Sequence, residues 1–410
     1  MSARLLAGPP LGGPAESLDA HRLRLGPLPP EPEARGSIEE LLASGLLGRG
    51  GAGFPVGRKW RALADRPKGR AVVVVNGAEG EPASHKDRVL MAARPHLVID
   101  GAALAADAIG ADEIVFYVGM EHEVAVTSMT MAIEQRRAEL RRPVRLVQAP
   151  ISYVAGEASA AVNYIETGIA KPTSSPPSVS ERGVDGAPTL VQNVESLAYA
   201  ALIARYGAAW YRALGRYDTR GTALVTVTGA ASDQGVQEIQ IGETVGEVAA
   251  AAGAQAGSTQ AVVLGGYFGT WARVDDVWDM PLDPAVMKGR GLTFGCGIVG
   301  LLPEAVCGVS ATAGIMAFMA AETAGQCGPC VHGLKAIGDA TRRIADGVAA
   351  GDDVHRIERW ASQVNGRGAC HHPDGAAQLM VSALNVFGDE FVHHTRTSRC
   401  SVTGARIAAA

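Results

Sequence analysis

The first sustained apolar run, Ala71-Val72-Val73-Val74-Val75, is β-branched with no polar alternation, as in a strand covered on both faces of a parallel sheet. Upstream, Ser37-Ile38-Glu39-Glu40-Leu41-Leu42 sets a capping serine before an apolar period and reads as a capped helix. Downstream, helical and strand periods alternate: a helix from Pro95 to about Gly110, a strand from Glu113 to Val118, a helix from Val124 to Arg141, and a strand from Val144 to Val147. Tyr153-Val154-Ala155-Gly156-Glu157 then opens another helix. Gly168 to Pro188, with Pro172, Pro176 and Pro177, reads as a long loop, and Thr189-Leu190-Val191-Gln192-Asn193-Val194-Glu195-Ser196 as the start of a helix. This alternation predicts an α/β fold with a Rossmann-like first domain over residues 36–220. Residues 1–35 carry no sustained period and read as an arm on that domain.

Near Thr222 the pattern changes. Leu224 to Gly229 alternates as a strand, Gly235 to Ile239 as its hairpin mate, Thr244 to Ala252 as a helix, and Val262 to Gly266 as a further strand and turn. This module is assigned residues 221–272. From 273 to 410 the signals are mainly helical, over Thr312–Glu322, Leu334–Gly347, Val354–Val364 and Ala376–His393, and predict a small helical bundle.

A chain of 410 residues exceeds one hydrophobic core, in keeping with several domains. A net charge of −5 with mixed signs gives no sign of a basic nucleic-acid-binding surface, and no nucleic-acid partner is expected. The longest apolar stretch, Ala311 to Ala321, is too short to span a bilayer, so no direct membrane insertion is expected and the location is read as cytoplasmic. All 6 cysteines fall in the last third. In a reducing compartment they point to metal or redox work before disulfides.

Four of the six residues from 48 to 53, Gly48-Arg49-Gly50-Gly51-Ala52-Gly53, are glycine, and Phe54-Pro55 and Gly57-Arg58-Lys59-Trp60 follow. Glycines open left-handed backbone angles, so main-chain N–H groups can wrap an anion while Arg49, Arg58 and Lys59 add positive charge. A flexible linker is the bland alternative, but such linkers are Ser-rich. The string satisfies G-x-G-x-x-G, yet it precedes the first strand instead of following one, the wrong order for a dinucleotide fingerprint. A second loop, Asn76-Gly77-Ala78-Glu79-Gly80-Glu81-Pro82 with Lys86-Asp87-Arg88 beyond it, leaves the end of the valine strand, where open α/β sheets bind ligands.

Read to Trp60, the glycine loop resembles the flavin loop of the flavin- and NADH-binding subunit of respiratory complex I and related soluble dehydrogenases. The resemblance implies a flavin domain, a small β-grasp (ubiquitin-like) domain and a helical domain with an iron–sulfur site. It implies FMN held by Gly48, Arg49, Gly50, Gly51, Gly53, Phe54 and Lys59, by Asn76 and Glu79, by Tyr153 and Gly156, and by Asn193. Glu81 and Glu157 would take catalytic roles. Taken singly, Glu79 and Glu81 would read as solvated loop acids.

Glu322-Thr323-Ala324-Gly325-Gln326-Cys327-Gly328-Pro329-Cys330 resembles the same family's cluster motif, E-S-C-G-x-C-x-P-C. The resemblance makes Cys327, Cys330 and the distant Cys370 ligands of a four-iron or three-iron cluster, with Ala324 where the family has a thiolate. His332, His371, His372 or Cys307 are candidate substitutes. A thioredoxin-like C-x-x-C or a zinc site remain open. Cys296, Cys307 and Cys400 read as plain thiols.

The family stacks NADH on aromatic rings. The two aligned positions hold Ala62 and Ser178, and the acid expected after Glu157 is Ala158. The implied function is an FMN-dependent NADH dehydrogenase that passes single electrons to an iron–sulfur centre. The alternative is a flavin and iron–sulfur relay that no longer oxidises NADH. Either would work with other electron-transfer subunits, a ferredoxin-like protein or a membrane partner.

Overall fold

In the computed structural model, which describes residues 3–27, 31–67, 69–173 and 175–403, the valine run becomes the inner strand β1 (Val72–Gly77). It pairs in parallel with β2 (Glu113–Gly119) on one side and β4 (Thr189–Asn193) on the other, and β2 pairs in parallel with β3 (Val144–Ala149). The sheet order is β3-β2-β1-β4. Both faces are covered, which is why the run lacks polar alternation. Val73, Val75, Phe116 and Val118 join one apolar cluster, and Val72, Val74, Val115 and Tyr117 join another.

Helices α1 (Leu18–Leu25), α2 (Glu31–Ser44) and α3 (Val56–Ala64) precede the sheet. Helices α4 (Lys86–Ala93), α5 (Pro95–Ile109), α6 (Glu123–Arg136), α7 (Ala158–Thr167) and α8 (Val194–Arg212) connect and follow its strands. Every residue of α5 is buried. Gly101 permits this, because a Cβ there would stand 2.1 Å from the Leu197 carbonyl oxygen on α8.

Three readings need correction. Thr189–Asn193 is a fourth strand, and the helix begins only at Val194. The first residues are structured: Ser17 caps α1, Leu5 is fully buried, and the Arg4 guanidinium donates to the carbonyls of Tyr211 and Trp210. The helix expected through Arg141 ends at Arg136.

The chain forms two compact units, the first reaching Val225 and taking in Val236–Glu243, the second made of Thr226–Gly235 and residues from Thr244 onward. Strands β5 (Thr222–Gly229) and β6 (Gly235–Gln240) are neighbours in a second sheet. Helix α9 (Val245–Ala251) opens on a reciprocal cap between Thr244 and Glu247. Within the second unit follow β7 (Thr259–Leu264), β8 (Thr270–Arg273), α10 (Val274–Val277), α11 (Pro284–Gly289) and β9 (Ile298–Pro303). Strand β9 lies outside the span read as the strand-bearing module, yet it pairs in parallel with Thr226–Gly229 and antiparallel with β7. Helices α12 (Gly308–Ala321), α13 (Lys335–Ala345), α14 (Asp353–Val364) and α15 (His372–Thr397) pack on one another as a bundle. Among the described residues no single helix is long and apolar enough to cross a membrane.

Candidate functional site

The order β3-β2-β1-β4 reverses direction between β1 and β4, and the place beyond the carboxyl ends of those two strands is where open α/β sheets have their ligand crevice. Asn76 and Asn193 are register partners there. Asn76 Nδ2 donates to the Gly156 carbonyl (2.9 Å), tying the β1 loop to the third segment. Asn193 caps α8, its Oδ1 accepting from the N–H groups of Glu195 (3.0 Å) and Ser196 (3.4 Å).

The glycine loop reaches the same crevice. Its neck is closed by Gly48 N–H donating to the Phe54 carbonyl (2.9 Å) and Val56 N–H to that of Leu46 (3.0 Å). Gly51 and Gly53 have φ of 108° and 64°, angles that only glycine adopts without strain. Gly50 sits so close to Asn193 that a Cβ would lie 3.3 Å from the asparagine Cβ. The loop leads into α3, whose Lys59 extends to the Val191 carbonyl of β4 (Nζ to O, 2.5 Å). Burial lowers the Lys59 pKa, and among the described residues no carboxylate forms an ion pair with it. A half-buried ammonium facing only a carbonyl suits an incoming anion such as a phosphate. Phe54 is 57% exposed, leaving its ring free to stack.

The acidic loop completes the site. Gly80 packs on segment three, where a Cβ would come within 2.9 Å of the Ser152 carbonyl oxygen. The Tyr153 hydroxyl donates to Glu81 Oε2 (3.0 Å), and Glu81 is buried. Four segments distant in sequence are thus linked at one sheet edge.

Three candidate side chains have structural duties that sequence did not reveal. Glu79, at a left-handed φ of 42°, accepts from Ser84 Oγ (2.7 Å) and the N–H groups of Asp87 and Arg88 (2.9 Å each), so its carboxylate caps α4 instead of facing the crevice. Arg49 turns inward, donating to the Tyr211 hydroxyl (3.2 Å) and the Thr222 carbonyl (3.1 Å), and is not a surface cation of the loop. Glu157 caps α7, accepting from Ala160 N–H (2.9 Å) and Ser159 Oγ (2.5 Å).

A buried charge cluster under the crevice was not singled out in sequence. Lys86 Nζ lies 2.7 Å from Asp87 Oδ1 and 3.0 Å from Glu195 Oε2, and Asp87 Oδ2 accepts from Asn193 Nδ2 (2.6 Å). Burial alone would lower the Lys86 pKa, but Asp87, Glu195 and Glu79 raise it, so the ammonium stays charged. No local pattern could have joined residues 86, 87 and 195.

In the second unit, Cys327-Gly328-Pro329-Cys330 leads into a π-type turn, Pro329–Leu334, a form frequent at functional sites. Helix α12, and no strand, precedes it, which removes the thioredoxin-like reading. The Cys330 thiol is pushed up to about 12 by burial, then by Cys327 and Cys370, so the three sulfurs share one neighbourhood. His332 and His371 are exposed, the latter 3.2 Å from Asp374 Oδ2. His372 is buried with Nε2 on the Met319 carbonyl (2.8 Å). Cys307 gathers elsewhere, with Glu390, His394 and Cys400.

Residues 41–201 match the family model described as the Nuo51 FMN-binding domain, and residues 310–394 that of the NADH-ubiquinone oxidoreductase-F iron-sulfur binding region. The NADH-quinone oxidoreductase F 2 subunit of Rhizobium meliloti (strain 1021) is 30% identical over 379 residues, 88% of this chain and 89% of that protein. The NADH-quinone oxidoreductase F subunit of Mycobacterium tuberculosis (strain H37Rv) is 30% identical over 87% of this chain and 84% of its own length. A chain of the NAD+-reducing [NiFe]-hydrogenase, solved in the H2-reduced state, superposes with a TM-score of 0.84 at 29% identity over 94% of this chain. This chain spans 65% of that one. The glycine-loop crevice falls inside the first matched region and the three-cysteine site inside the second, and the chain belongs to the family of NADH-quinone oxidoreductase F subunits.

Proposed function

We propose that this chain is an FMN-dependent oxidoreductase subunit that oxidises NADH and delivers electrons singly to an iron–sulfur centre. The carrying observation is the convergence of four segments at the β1–β4 switch point beside the half-buried Lys59, an ammonium with no carboxylate partner among the described residues. Bound FMN supplies acceptance of a hydride and release of its electrons one at a time.

The chain's own residues bind and orient. Loop N–H groups from Gly50, Gly51 and Gly53, with Lys59, take the phosphate, while Gly48 closes the loop's neck on Phe54; Asn76, Gly156 and Asn193 line the ring side; Glu81, held by Tyr153, and Glu157, at the start of α7, stand at the catalytic edge. One cradle serves one phosphate, which favours FMN over FAD. Phe54 offers a stacking ring, whereas Ala62 and Ser178 offer none, so each missing ring takes roughly 1 kcal/mol from NADH binding.

Cys327, Cys330 and Cys370 hold the cluster, with the fourth iron lacking the usual thiolate at Ala324. The relatives are named as subunits, and this chain hands its electrons to a partner subunit or a ferredoxin-like protein in the cytoplasm. The relay reading is favoured by Ala62, Ser178 and Ala158 alone.

Anaerobically purified protein tests the cofactor assignment. FMN released on denaturation, with iron and acid-labile sulfide, is the expected result. FAD, or protein without iron and sulfide, contradicts it.

A further inference from the structure

Far from Cys327, Cys330 and Cys370 in role, four ligand-type side chains meet inside the helical bundle. Cys307 is the residue before α12, Glu390 and His394 stand one turn apart on α15, and Cys400 lies just beyond that helix. Their Sγ, carboxylate and imidazole atoms all lie within 4.8 Å of one another. Cys307, His394 and Cys400 are buried, and the Glu390 side chain is 13% exposed. Ser398 turns the chain back with a φ of 50°, and Ser401 N–H donates to Glu390 Oε1 (2.8 Å), so the returning tail is held over the cluster.

The hydrogen-bond arithmetic of His394 leaves a place for a cation. Its Nδ1 stands 3.2 Å from the Ile344 carbonyl oxygen, which can only accept, so the ring's proton belongs on Nδ1. The bare Nε2 lone pair then points at the Glu390 carboxylate, 2.9 Å away, with Cys307 Sγ 3.5 Å away on the same nitrogen. Two lone-pair carriers at that distance need a proton between them, carried by Nε2 or by the carboxyl, or a metal ion that both can bind. An imidazole fixed through its other nitrogen by a backbone carbonyl is the usual arrangement of a metal-binding histidine.

We propose that Cys307, Glu390, His394 and Cys400 bind one Zn2+ ion that fastens the C-terminal tail to α12 and α15. Two thiolates, an imidazole and a carboxylate make a tetrahedral set of the softness zinc takes. Tetrahedral zinc sets a sulfur–nitrogen edge of about 3.6 Å and a nitrogen–oxygen edge of about 3.3 Å. The observed 3.5 Å matches the first, and the 2.9 Å edge needs only a small opening of the Glu390 side chain. The ion is structural: all four ligands come from protein, leaving no open position. Zinc binding displaces the two thiol protons to solvent, and no electron moves.

Metal analysis of the full chain, anaerobically purified from zinc-replete medium, tests this. One zinc per chain is expected beside the iron of the other site. Absorption at the zinc edge should show two sulfurs at about 2.3 Å and two nitrogen or oxygen atoms at about 2.0–2.2 Å. The double variant Cys307→Ser/Cys400→Ser should lose the zinc and keep flavin, iron and sulfide. Absence of zinc even after Zn2+ is added, a shell of three or four sulfurs, zinc undiminished in the double variant, or a Cys307–Cys400 disulfide on peptide mapping would each overturn the proposal. Where the double variant fails to fold, the zinc-edge shell of the unaltered protein decides alone.

Discussion

Lys59→Met separates binding from folding. The half-buried ammonium has its hydrogen bond to a neutral carbonyl, so partial desolvation lowers its pKa and costs the flavin-free protein free energy. Methionine keeps the length and apolar stem while removing that cost. The flavin-free variant should therefore be no less stable than the parent. The flavin phosphate loses one charge-assisted hydrogen bond, about 1.5 to 3 kcal/mol. At 1.4 kcal/mol per decade this weakens FMN binding about 10- to 150-fold. Quenching of FMN fluorescence on titration with flavin-free protein gives Kd, and a thermal melt of the same sample gives stability. An unchanged Kd refutes the phosphate role. A Kd raised together with a large fall in Tm would assign Lys59 to the fold instead.

Asp100, buried against Arg136 (2.5 Å), Arg205 (2.6 Å) and His21 (2.8 Å), should cost about 3 to 5 kcal/mol when changed to alanine, read by urea denaturation. Burial opposes its ionisation, but His21, Arg136 and Arg205 hold its pKa at about 2. Its stabilisation is therefore present above the unfolded value near 4 and lost as pH falls towards 2, an acid limb that Asp100→Ala should flatten. Asn193→Ala should lower stability by about 0.5 to 2 kcal/mol through the lost cap of α8, and an unchanged Tm would remove that role. Ala324→Cys should slow oxygen-driven loss of iron, followed by the decay of the cluster's visible absorption; equal decay rates would show that residue 324 does not face the cluster.

What could be read in sequence was what repeats locally or matches a motif. The valine run declared β1 because burial on both faces removes polar alternation. The glycine loop declared itself because left-handed angles at Gly51 and Gly53 demand glycine. Strand β4 was hidden because its five residues run straight into α8, with Asn193 ending one and capping the other. Strand β9 was hidden because Gly300 interrupts its apolar run and its neighbours are far off in sequence. Glu79 and Arg49 looked like ligands because composition does not tell where a carboxylate or guanidinium turns. Their partners, the first turn of α4 and the Tyr211–Thr222 pair, are tertiary facts. The same holds for Cys307 and Cys400, 93 residues apart and brought together only by α12 and α15.

The central claim is that NADH reduces this chain despite Ala62 and Ser178. Anaerobic mixing of NADH with the flavin-loaded protein, followed by absorbance of the flavin band, tests it most directly. Bleaching within seconds, one NADH per flavin, is the predicted result. A flavin band that NADH leaves unchanged, while dithionite bleaches it, would contradict the account and leave the chain a relay.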